Sequence, residues 1–409
     1  MNWKKTRIDR VASVNARIGW KALTASEYQS DGYVFLATPN IKPQSIDFEN
    51  VNYIGEYRYE ESPELKLRPG DVLLAKDGST LGITNIVREL PRPATVNSSI
   101  AVLRAFEVEP RFLRYALASS ATQNLIETIK GGMGVPHLFQ WDIKRLPITI
   151  PSPGEQSRIA DFLDAETAQI DRLVALRSSQ MEVLGAHYQS YLSELAHELR
   201  SQYGSVKVRH VLQKIEQGWS PQCEDRSVKD GEWGVVKAGC VNGGIFDPSQ
   251  HKALPSDTAP EVRYRLRPGD LLLSRASGSI DLIGSTAVLP DDLSAQLLLC
   301  DKVYRLRMDR TRMMPHFVAF MLRAIQVREA IKLGISGAEG MANNLPTAII
   351  TNLPLPNVPI MQQACIVDDL DNTWRTVQEA GQKLTEQLSV LSERRQTLIT
   401  EAVTGEITI

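Results

Sequence analysis

Hydrophobic and polar positions alternate along this chain in two ways. Along 151–205 apolar residues recur mostly in threes and fours, and along 361–409 they recur at every seventh position, which is the spacing of a helix face. Each of these stretches follows about 150 residues of short apolar runs separated by Gly, Pro, Asn and Asp, which are typical of strands and turns. The pattern predicts an α+β chain in which two β-rich regions each lead into one long helix.

A turn motif occurs once in each β-rich region. Residues 67–79 read LRPGDVLLAKDGS and residues 266–279 read LRPGDLLLSRASGS, so that Gly70 recurs 199 residues later as Gly269. Pro fixes φ at the first central position of a turn and Gly supplies a positive φ at the second. Because apolar runs lie on both sides, each motif predicts a hairpin between two strands.

The start of the long helix is also repeated. Residues 146–171 match residues 353–378, with Gln156 recurring 207 residues later as Gln363. In the first copy Ser152, Pro153 and Glu155 form the pattern of a capping box with Pro at the first helical position. The chain is therefore predicted to be a tandem repeat of two similar halves, with pseudo-twofold symmetry.

The apolar seams of the two helices predict an antiparallel coiled coil. About 45 residues would form a rod of roughly 68 Å, which is longer than one compact domain needs, and a heptad seam requires a partner helix. The obvious partner is the other copy, with one β-rich unit at each end. Two separate helices that each pack on their own unit are the alternative. The predicted seam consists of Leu163, Ile170, Met181 and Leu184 in the first helix and Leu370, Val377, Leu384, Leu391 and Leu398 in the second.

Charge supports a division into four segments, 1–150, 151–205, 206–360 and 361–409. Lys and Arg outnumber Asp and Glu by three in each β-rich segment, whereas acids outnumber bases by four in each helical segment. The net charge of −2 hides this alternation. So small a basic surplus is compatible with nucleic-acid binding or with chance. The acids at the helix starts either stabilise the helix dipole or bind basic helices of a partner.

Motifs for catalysis, metal binding and membrane insertion were searched for without success. The chain contains no GxxxxGK[ST], HExxH or GxSxG motif. An E-x-K sequence at Glu64 to Lys66 resembles part of a nuclease site, but it precedes the Pro-Asp element and is missing from the second half. The four cysteines are far apart, as in reduced cytosolic proteins, and no apolar run of about 18 residues could span a membrane.

The repeat and three local sequences resemble the specificity subunit of type I restriction-modification systems. They are ITIPSPGEQ at 148–156, the LITEAVTGEI ending within 394–407, and GWSP at 218–221 followed by WGVVK at 233–237. The likeness covers essentially the whole chain. It departs from a perfect repeat at 191–196, which lack a counterpart of AVTGEI, and at Arg177, which stands where the second seam has Leu384.

That resemblance implies a DNA-recognition protein without catalysis of its own. Two target recognition domains would each read one half of a bipartite, asymmetric sequence in double-stranded DNA, and the helices would set the spacer between the halves. Two DNA adenine methyltransferase subunits would dock on the chain, and restriction/translocase subunits would join them in the cytoplasm. No cofactor would bind this chain, because the partners would use S-adenosylmethionine, Mg²⁺ and ATP. A coiled-coil adaptor that binds no DNA is the alternative, but it leaves the duplicated, diverged β-rich units unexplained.

Candidate DNA-contacting residues follow from where the two halves differ. The segments after the PGD turns and the Gly-rich segments before the Leu-Pro strands differ between the copies, as readers of different half-sites should. The alternative role for the glycines is a flexible connection into the Leu-Pro strand, and the alternative role for His137 is that of a surface or helix-cap residue. The candidates are Lys76, Ser79, Thr80, Lys130, Met133 and His137 in the first half, and Lys237, Arg275, Ser277, Ser279, Asn343 and Asn344 in the second.

Overall fold

The computed structural model describes residues 3–16, 23–132, 134–293, 295–336 and 343–409. Contacts divide the chain into two compact units. Unit 1 comprises 1–179 with 384–409, and unit 2 comprises 180–383, so that each unit contains part of both long helices. The division into four segments predicted from the sequence follows the chain and stays a prediction, because this grouping by contacts does not address it.

Unit 1 contains two sheets and a separate strand pair. Its strands are β1 Lys4–Arg7, β2 Ala12–Asn15, β3 Tyr33–Leu36, β4 Asn52–Ile54, β5 Val72–Ala75, β6 Thr84–Ile86, β7 Ala94–Val96, β8 Ile100–Ala105 and β9 Pro147–Ile150. Its helices are α1 Glu56–Glu60, α2 Pro110–Ala118, α3 Ser120–Ile129, α4 Gln140–Arg145 and the start of α5 Pro153–Tyr203. The sheet orders are β2-β8-β5-β6 and β4-β3-β7, and β1 pairs with β9.

Unit 2 repeats this topology. Its strands are β10 Ser205–Lys207, β11 Leu212–Gln217, β12 Trp233–Val236, β13 His251–Ala253, β14 Leu271–Ser274, β15 Ala276–Ser277, β16 Thr286–Val288, β17 Gln296–Leu298, β18 Val303–Met308, β19 Asn343–Asn344 and β20 Pro354–Pro356. Its helices are α6 Pro315–Met321, α7 Ile325–Leu333, α8 Thr347–Asn352, residues 180–203 of α5 and residues 360–383 of α9 Ile360–Thr404. The orders β11-β18-β14-β16 and β13-β12-β17 match unit 1 strand for strand, which confirms the tandem repeat.

The alternation of side chains in the central strand explains the layers of each unit. In β5, Val72 and Leu74 belong to the apolar cluster that includes α2, α4 and the long helices, whereas Leu73 belongs to the cluster shared with the three-stranded sheet. Successive side chains of a strand point to opposite faces, so one strand contributes to both cores. The strand β14 does the same in unit 2 with Leu271, Leu272 and Leu273.

The PGD turns form as predicted, but they do not make hairpins. Gly70 has φ +92° and Asp71 N donates to Arg68 O at 3.0 Å. The described residues before the turn form no strand with β5, because Leu67 N donates instead to Ala94 O of β7 at 2.9 Å. The turn therefore carries the chain from one sheet to the other. In unit 2, Leu266 makes the equivalent bond to Leu297 of β17.

The repeated glutamine fixes the start of each long helix. Gln156 Oε1 accepts from Glu109 N at 2.8 Å and its Nε2 donates to Pro151 O at 2.9 Å. Gln363 accepts from Met314 N at 2.8 Å and donates to Val358 O at 2.8 Å. Both side chains are buried. Each glutamine thus satisfies a backbone N–H just before α2 or α6 and a carbonyl just before its own long helix, which explains why it recurs.

The long helices run antiparallel within each unit, as predicted. In unit 1, Leu163 packs in one cluster with Ile399 and Ala402, while Asp171 pairs with Arg395 at 3.0 Å. As the residue number rises in α5 it falls in α9. In unit 2, the Tyr188 and Trp374 rings lie 4.7 Å apart and Tyr191 Oη donates to Asp369 at 2.8 Å. Two helices that each pack only on their own unit are excluded, because α5 and α9 both contribute to both units.

The predicted seam is buried at its ends and half-buried elsewhere. Leu163, Ile170 and Leu370 are buried. A two-helix seam covers each side chain from one side only, so apolar residues away from the two cores keep part of their surface in solvent. The half-buried seam residues are Met181, Leu184, Val377, Leu384, Leu391 and Leu398.

Candidate nucleic-acid interface

Two segments that the sequence singled out in unit 1 lie side by side. Gly78 N donates to Pro136 O and Leu138 N donates to Lys76 O, each at 2.9 Å. Asp77 and His137 face each other in an antiparallel bridge. The segment after the PGD turn and the Gly-rich segment therefore form one surface, which we call loop cluster 1 (76–80 with 130–132 and 134–137).

Charges hold loop cluster 1 together from within. Lys76 Nζ lies 3.1 Å from the Asp77 carboxylate, which also contacts His137 Nδ1. Burial would raise the pKa of Asp77, but hydrogen bonds from His137 and Lys76 lower it overall. Only 10% of the Lys76 side chain is exposed. In this structure Lys76 and His137 stabilise the loops, so either would contact DNA only by leaving Asp77.

The remaining candidates of unit 1 are more accessible. Ser79 and Lys130 are exposed and Thr80 is half-buried, with Lys130 paired to Glu127. Met133 lies outside the described residues. Exposed hydroxyl and ammonium groups can reach phosphates and base edges directly. Loop cluster 1 therefore offers the hydroxyls of Ser79 and Thr80 to a ligand directly, and the exposed Lys130 once it leaves Glu127.

Two aromatic residues next to loop cluster 1 were missed by the sequence reasoning. Phe139 and Trp141 are 49% and 55% exposed. Phe139 lies 4.5 Å from the His137 ring and 6.3 Å from Trp141, and Arg145 lies over Trp141 at 5.2 Å. Exposed aromatic rings beside a basic residue are frequent in interfaces. The sequence feature that could have identified them is the pair of aromatic residues at positions i and i+2 directly after the Gly-rich segment.

Unit 2 brings its candidates together at the equivalent position. Ala276 and Ser277 in β15 pair with Asn344 and Asn343 in β19. The pair Ala276–Asn344 corresponds to Asp77–His137, given the offsets of 199 and 207 residues. Leu345 N donates to Arg275 O at 2.9 Å and Ser279 N donates to Ser277 Oγ at 3.2 Å. These segments form loop cluster 2 (275–279 with 336 and 343–344), in which no ion pair like that of Asp77 holds the described residues.

The two basic candidates of unit 2 lie in different settings. Arg275 is half-buried and donates to Asp301 O at 3.0 Å, with the Tyr304 ring 5.9 Å from its guanidinium carbon. Lys237 follows β12 in the other sheet and pairs with Asp225 at 3.0 Å. The matching residue of unit 1 is Ala37, at the same position after β3. Lys237 is therefore a cation specific to unit 2, outside loop cluster 2.

A buried charge network lies in the four-stranded sheet of each unit and was also missed. In unit 1, Arg104 makes two hydrogen bonds to Asp71, at 2.7 and 2.8 Å. In unit 2, Arg305 is 1% exposed, and it donates to Asp270 at 3.1 Å and to Glu216 at 2.7 Å. The Asp of each PGD turn thus anchors an Arg of the neighbouring strand, β8 in unit 1 and β18 in unit 2, which makes this Asp structural.

The acidic residues at the start of α5 bind cations of unit 1. Arg111 contacts Asp161 at 2.6 Å and Asp164 at 3.2 Å, and Arg88 contacts Asp164 at 2.5 Å. Burial would raise the pKa of Asp164, but its hydrogen bonds from Arg88 and Tyr115 lower it overall. These acids fasten α2 and the sheet to the long helix. Ion pairing within unit 1 is thus a third explanation for the acids at the helix start, besides stabilisation of the helix dipole and docking of a partner.

The part of the chain that the structure describes contains neither a cluster of metal ligands nor a membrane-spanning helix. Its His, Cys, Asp and Glu side chains form no group of three or more that could hold a metal ion. None of its helices combines the length and the apolar character needed to cross a membrane. The E-x-K lysine, Lys66, pairs with Glu60 at 2.5 Å and lies over the Tyr59 ring.

Comparisons with known proteins agree with this architecture. Residues 1–178 match the family model for the type I restriction modification DNA specificity domain. The EcoKI specificity subunit of Escherichia coli K12 is 22% identical over 99% of this chain and 89% of its own length. The StySPI specificity subunit of Salmonella potsdam gives the same identity and coverage.

The fold also has a solved relative. A chain described for the complex assembly and conformational transition of the type I R-M system superposes with a TM-score of 0.70. It is 19% identical, over 99% of this chain and 98% of that chain, and so it shares the fold. Over almost its whole length the chain is therefore similar, in sequence and in its tandem sheets and paired helices, to the specificity subunits of type I restriction-modification systems.

Proposed function

We propose that this protein recognises a bipartite, asymmetric DNA sequence, with each unit reading one half. The observation that carries this is the equivalence of the two loop clusters. Both arise after a PGD turn on sheets with the same strand order, yet Asp77 and His137 in one correspond to Ala276 and Asn344 in the other. A constant scaffold with different polar side chains at one position is what two readers of different sequences require.

We further propose that the long helices set the spacer and dock two DNA adenine methyltransferase subunits. Apolar side chains on these helices remain exposed, at Leu173, Leu176 and Val390 in unit 1 and at Val183 in unit 2. Val183 and Val390 are equivalent positions of the repeat. Exposed apolar residues on a helix are typical of partner contacts when they recur at helical spacing.

The chemistry would then belong to other chains. In this proposal the specificity subunit has no catalytic activity and binds no cofactor. S-adenosylmethionine would be used by the methyltransferase subunits, and Mg²⁺ and ATP would be used by the restriction/translocase subunits that join the complex. The assembly would work in the cytoplasm, where its DNA target lies.

Methylome sequencing tests the function directly. The chain is co-expressed with its methyltransferase subunits in a host lacking other adenine methylation, and methylated adenines are mapped. We expect one split motif, and we expect replacement of 76–80 to change only one of its halves. Stable co-purification without methylation or DNA binding would instead support the coiled-coil adaptor, which nothing in the paired loop clusters favours.

A further inference from the structure

A cavity in unit 2 is bordered by arginines and aromatic residues and is independent of the loop clusters. It measures about 410 Å³ and is lined by Arg323, Arg328, Tyr188 and Trp374, among others. A second cavity of about 490 Å³ shares Arg323 and Trp374 with the first. Both volumes lie in the range of small-molecule sites.

The hydrogen-bond donors at this cavity lack acceptors. Nη2 of Arg323 donates to Gly244 O at 2.5 Å and to Thr286 O at 3.1 Å. Its Nε and Nη1 are buried and make no well-aligned hydrogen bond, although the Tyr188 hydroxyl lies beside the guanidinium. Arg328 Nη1 and Trp374 Nε1 are likewise buried without a well-aligned partner. A guanidinium has five N–H groups, so three of those on Arg323 are unsatisfied. Such groups are costly to bury, especially on a charged side chain.

The surrounding charges do not compensate for these donors. Burial lowers the pKa of both Arg323 and Arg328. Tyr188 and the charge of Asp371 only partly oppose this at Arg323, and the charge of Asp281 only partly opposes it at Arg328. Asp371 accepts no hydrogen bond from Arg323 Nε or Nη1. Lys332 pairs with Asp281 at 2.6 Å, and Glu329 is the second acid of the lining, so that three cations face two acids. The cavity therefore has excess positive charge and excess donors.

The equivalent positions of unit 1 show what a satisfied version looks like. Arg323 and Arg328 correspond to Ala118 and Gln123, and Tyr188 corresponds to Arg395. Gln123 donates to Gly82 O at 3.0 Å and to Leu117 O at 2.7 Å, and Arg395 pairs with Asp171. At these positions Gln123 and Arg395 thus find acceptors within unit 1. At the same positions unit 2 has two arginines, and part of their N–H groups find no acceptor.

Glycines keep room for the arginines. A Cβ at Gly244, where φ is +82°, would lie 2.7 Å from Arg323 Cζ, and a Cβ at Gly284, where φ is +78°, would lie 2.7 Å from Arg328 Nη1. Both side chains therefore approach the backbone at positions where other residues would be strained. The arrangement is a built feature of unit 2.

We propose that this cavity binds a small oxyanion, a phosphate or carboxylate group, between Arg323 and Arg328. The anion would accept hydrogen bonds from the two guanidinium groups as Arg323 and Tyr188 turn towards the cavity, with the Trp374 N–H at its edge. Charge-assisted hydrogen bonds to arginine are the strongest available for such a group. A duplex phosphate is a poor candidate because the unsatisfied nitrogens are buried. The ligand is therefore a free anion or a small organic phosphate.

Calorimetric titration of the full chain with inorganic phosphate tests this proposal. We expect saturable binding in the millimolar range or tighter, which Arg323→Ala weakens by about tenfold to a hundredfold because charged hydrogen bonds are lost. Arg328→Gln, which copies Gln123, should weaken it similarly and serves if Arg323→Ala fails to fold. Titration with adenosine monophosphate distinguishes the two kinds of ligand. Tighter binding than that of inorganic phosphate indicates a small organic phosphate, and equal binding indicates a free anion.

Controls separate this site from the DNA surface. Lys130→Ala, in loop cluster 1, should leave phosphate binding unchanged. The proposal would be overturned by no saturable binding to the wild-type chain, by binding to both arginine variants as tight as to the wild type, or by loss of binding in Lys130→Ala. None of these results would bear on DNA recognition, which is read separately by methylation of the split motif.

Discussion

Arg305 lies at a strand position that unit 1 fills with Val102. The strand registers make these residues equivalent, as they make Glu216 equivalent to Asn15. Arg307, the equivalent of Arg104, bonds Glu216 at 2.7 Å and lies 3.7 Å from Asp270. The two units therefore solve the same problem, anchoring the Asp of the PGD turn, with different partners.

Arg305→Val should destabilise the protein by about 3 kcal/mol, because it leaves a buried acid without its main partner. Adding Glu216→Asn, so that both positions match unit 1, frees Arg307 to bond Asp270 as Arg104 bonds Asp71. We expect the double variant to regain a large part of the loss, measured by chemical denaturation. A double variant less stable than Arg305→Val alone would contradict this equivalence.

The pH dependence of stability should report on Glu216. Burial would raise its pKa, but bonds from Lys214 and Arg307 and the charge of Arg305 lower it overall to about 2. Its ionised form stabilises the fold fully above the ordinary pKa of about 4.3, and this contribution is lost as the pH falls through 2. The stability difference between the wild type and Glu216→Gln should therefore shrink between pH 5 and pH 2, as followed by urea denaturation. A constant difference would exclude this role.

Lys130 is the best-placed phosphate contact of loop cluster 1. Lys130→Ala should reduce the slope of log affinity against log salt by about one, because one fewer counterion is released. Lys42→Ala is the matched control, since Lys42 is likewise an exposed lysine in an ion pair, with Asp47. An unchanged slope for Lys130→Ala, measured by fluorescence anisotropy, would remove it as a phosphate contact.

The sequence spacing predicted which segments form the two loop clusters, but it did not predict the roles of the individual residues in them. The offsets of 199 and 207 residues predicted which segments are equivalent, and the structure brings those segments together. The burial of Lys76 against Asp77 could not be predicted, because it depends on a bridge to a segment 60 residues away. For the same reason the charge network of Arg305 was missed, since a strand arginine in a sequence looks solvent-exposed.

At the scale of elements, the helices were the most predictable feature. Capping signals placed the start of α5, and Ser152 N donates to Glu155 as a capping box requires, at 3.2 Å. The heptad spacing gave the pairing and its seam. The PGD hairpin was wrong because local turn chemistry fixes the turn but cannot say which strand the preceding residues will join.

Inserting four residues after Gln180 in α5 and four after Lys383 in α9 should lengthen the recognised spacer. Four residues add about 6 Å of helix, or about two base pairs of DNA. The half-site sequences should not change, because both loop clusters lie outside the insertion. Methylome sequencing measures both quantities.

A four-residue insertion at Gly204 is the control for that experiment. Gly204 follows the end of α5, so the paired helices keep their length and the spacer should stay as it is. Altered half-sites in the α5 and α9 variant would contradict the proposed ruler.

At the scale of the whole molecule, the repeat shares its helices between units. Residues 188–199 of α5 pack in unit 2 as residues 395–404 of α9 pack in unit 1. The hydrogen bonds confirm this, because Ser193 Oγ accepts from Ile325 N and the equivalent Thr400 Oγ1 accepts from Ser120 N. Neither unit is complete without the second helix.

The fragment 1–203 should therefore form a dimer. In this fragment the second half of α5 would have no unit 2 to pack against. The core of unit 1 would also lack Ile399, Ala402 and Val403, which α9 supplies in the full chain. A second copy supplies the equivalent residues, so we expect twice the monomer mass by light scattering. The fragment 1–179 lacks the exchanged segment and should not dimerise in this way. A folded, monomeric 1–203 fragment would refute the expectation.

The shared helices also bear on how such a chain could arise. A half-length ancestor with this architecture would have been a symmetric pair, in which any substitution appeared twice and both readers stayed the same. Joining the two copies in one gene ends that coupling. Arg305, Arg323 and Arg328 occur in one half only, as expected when two initially identical readers begin to evolve separately.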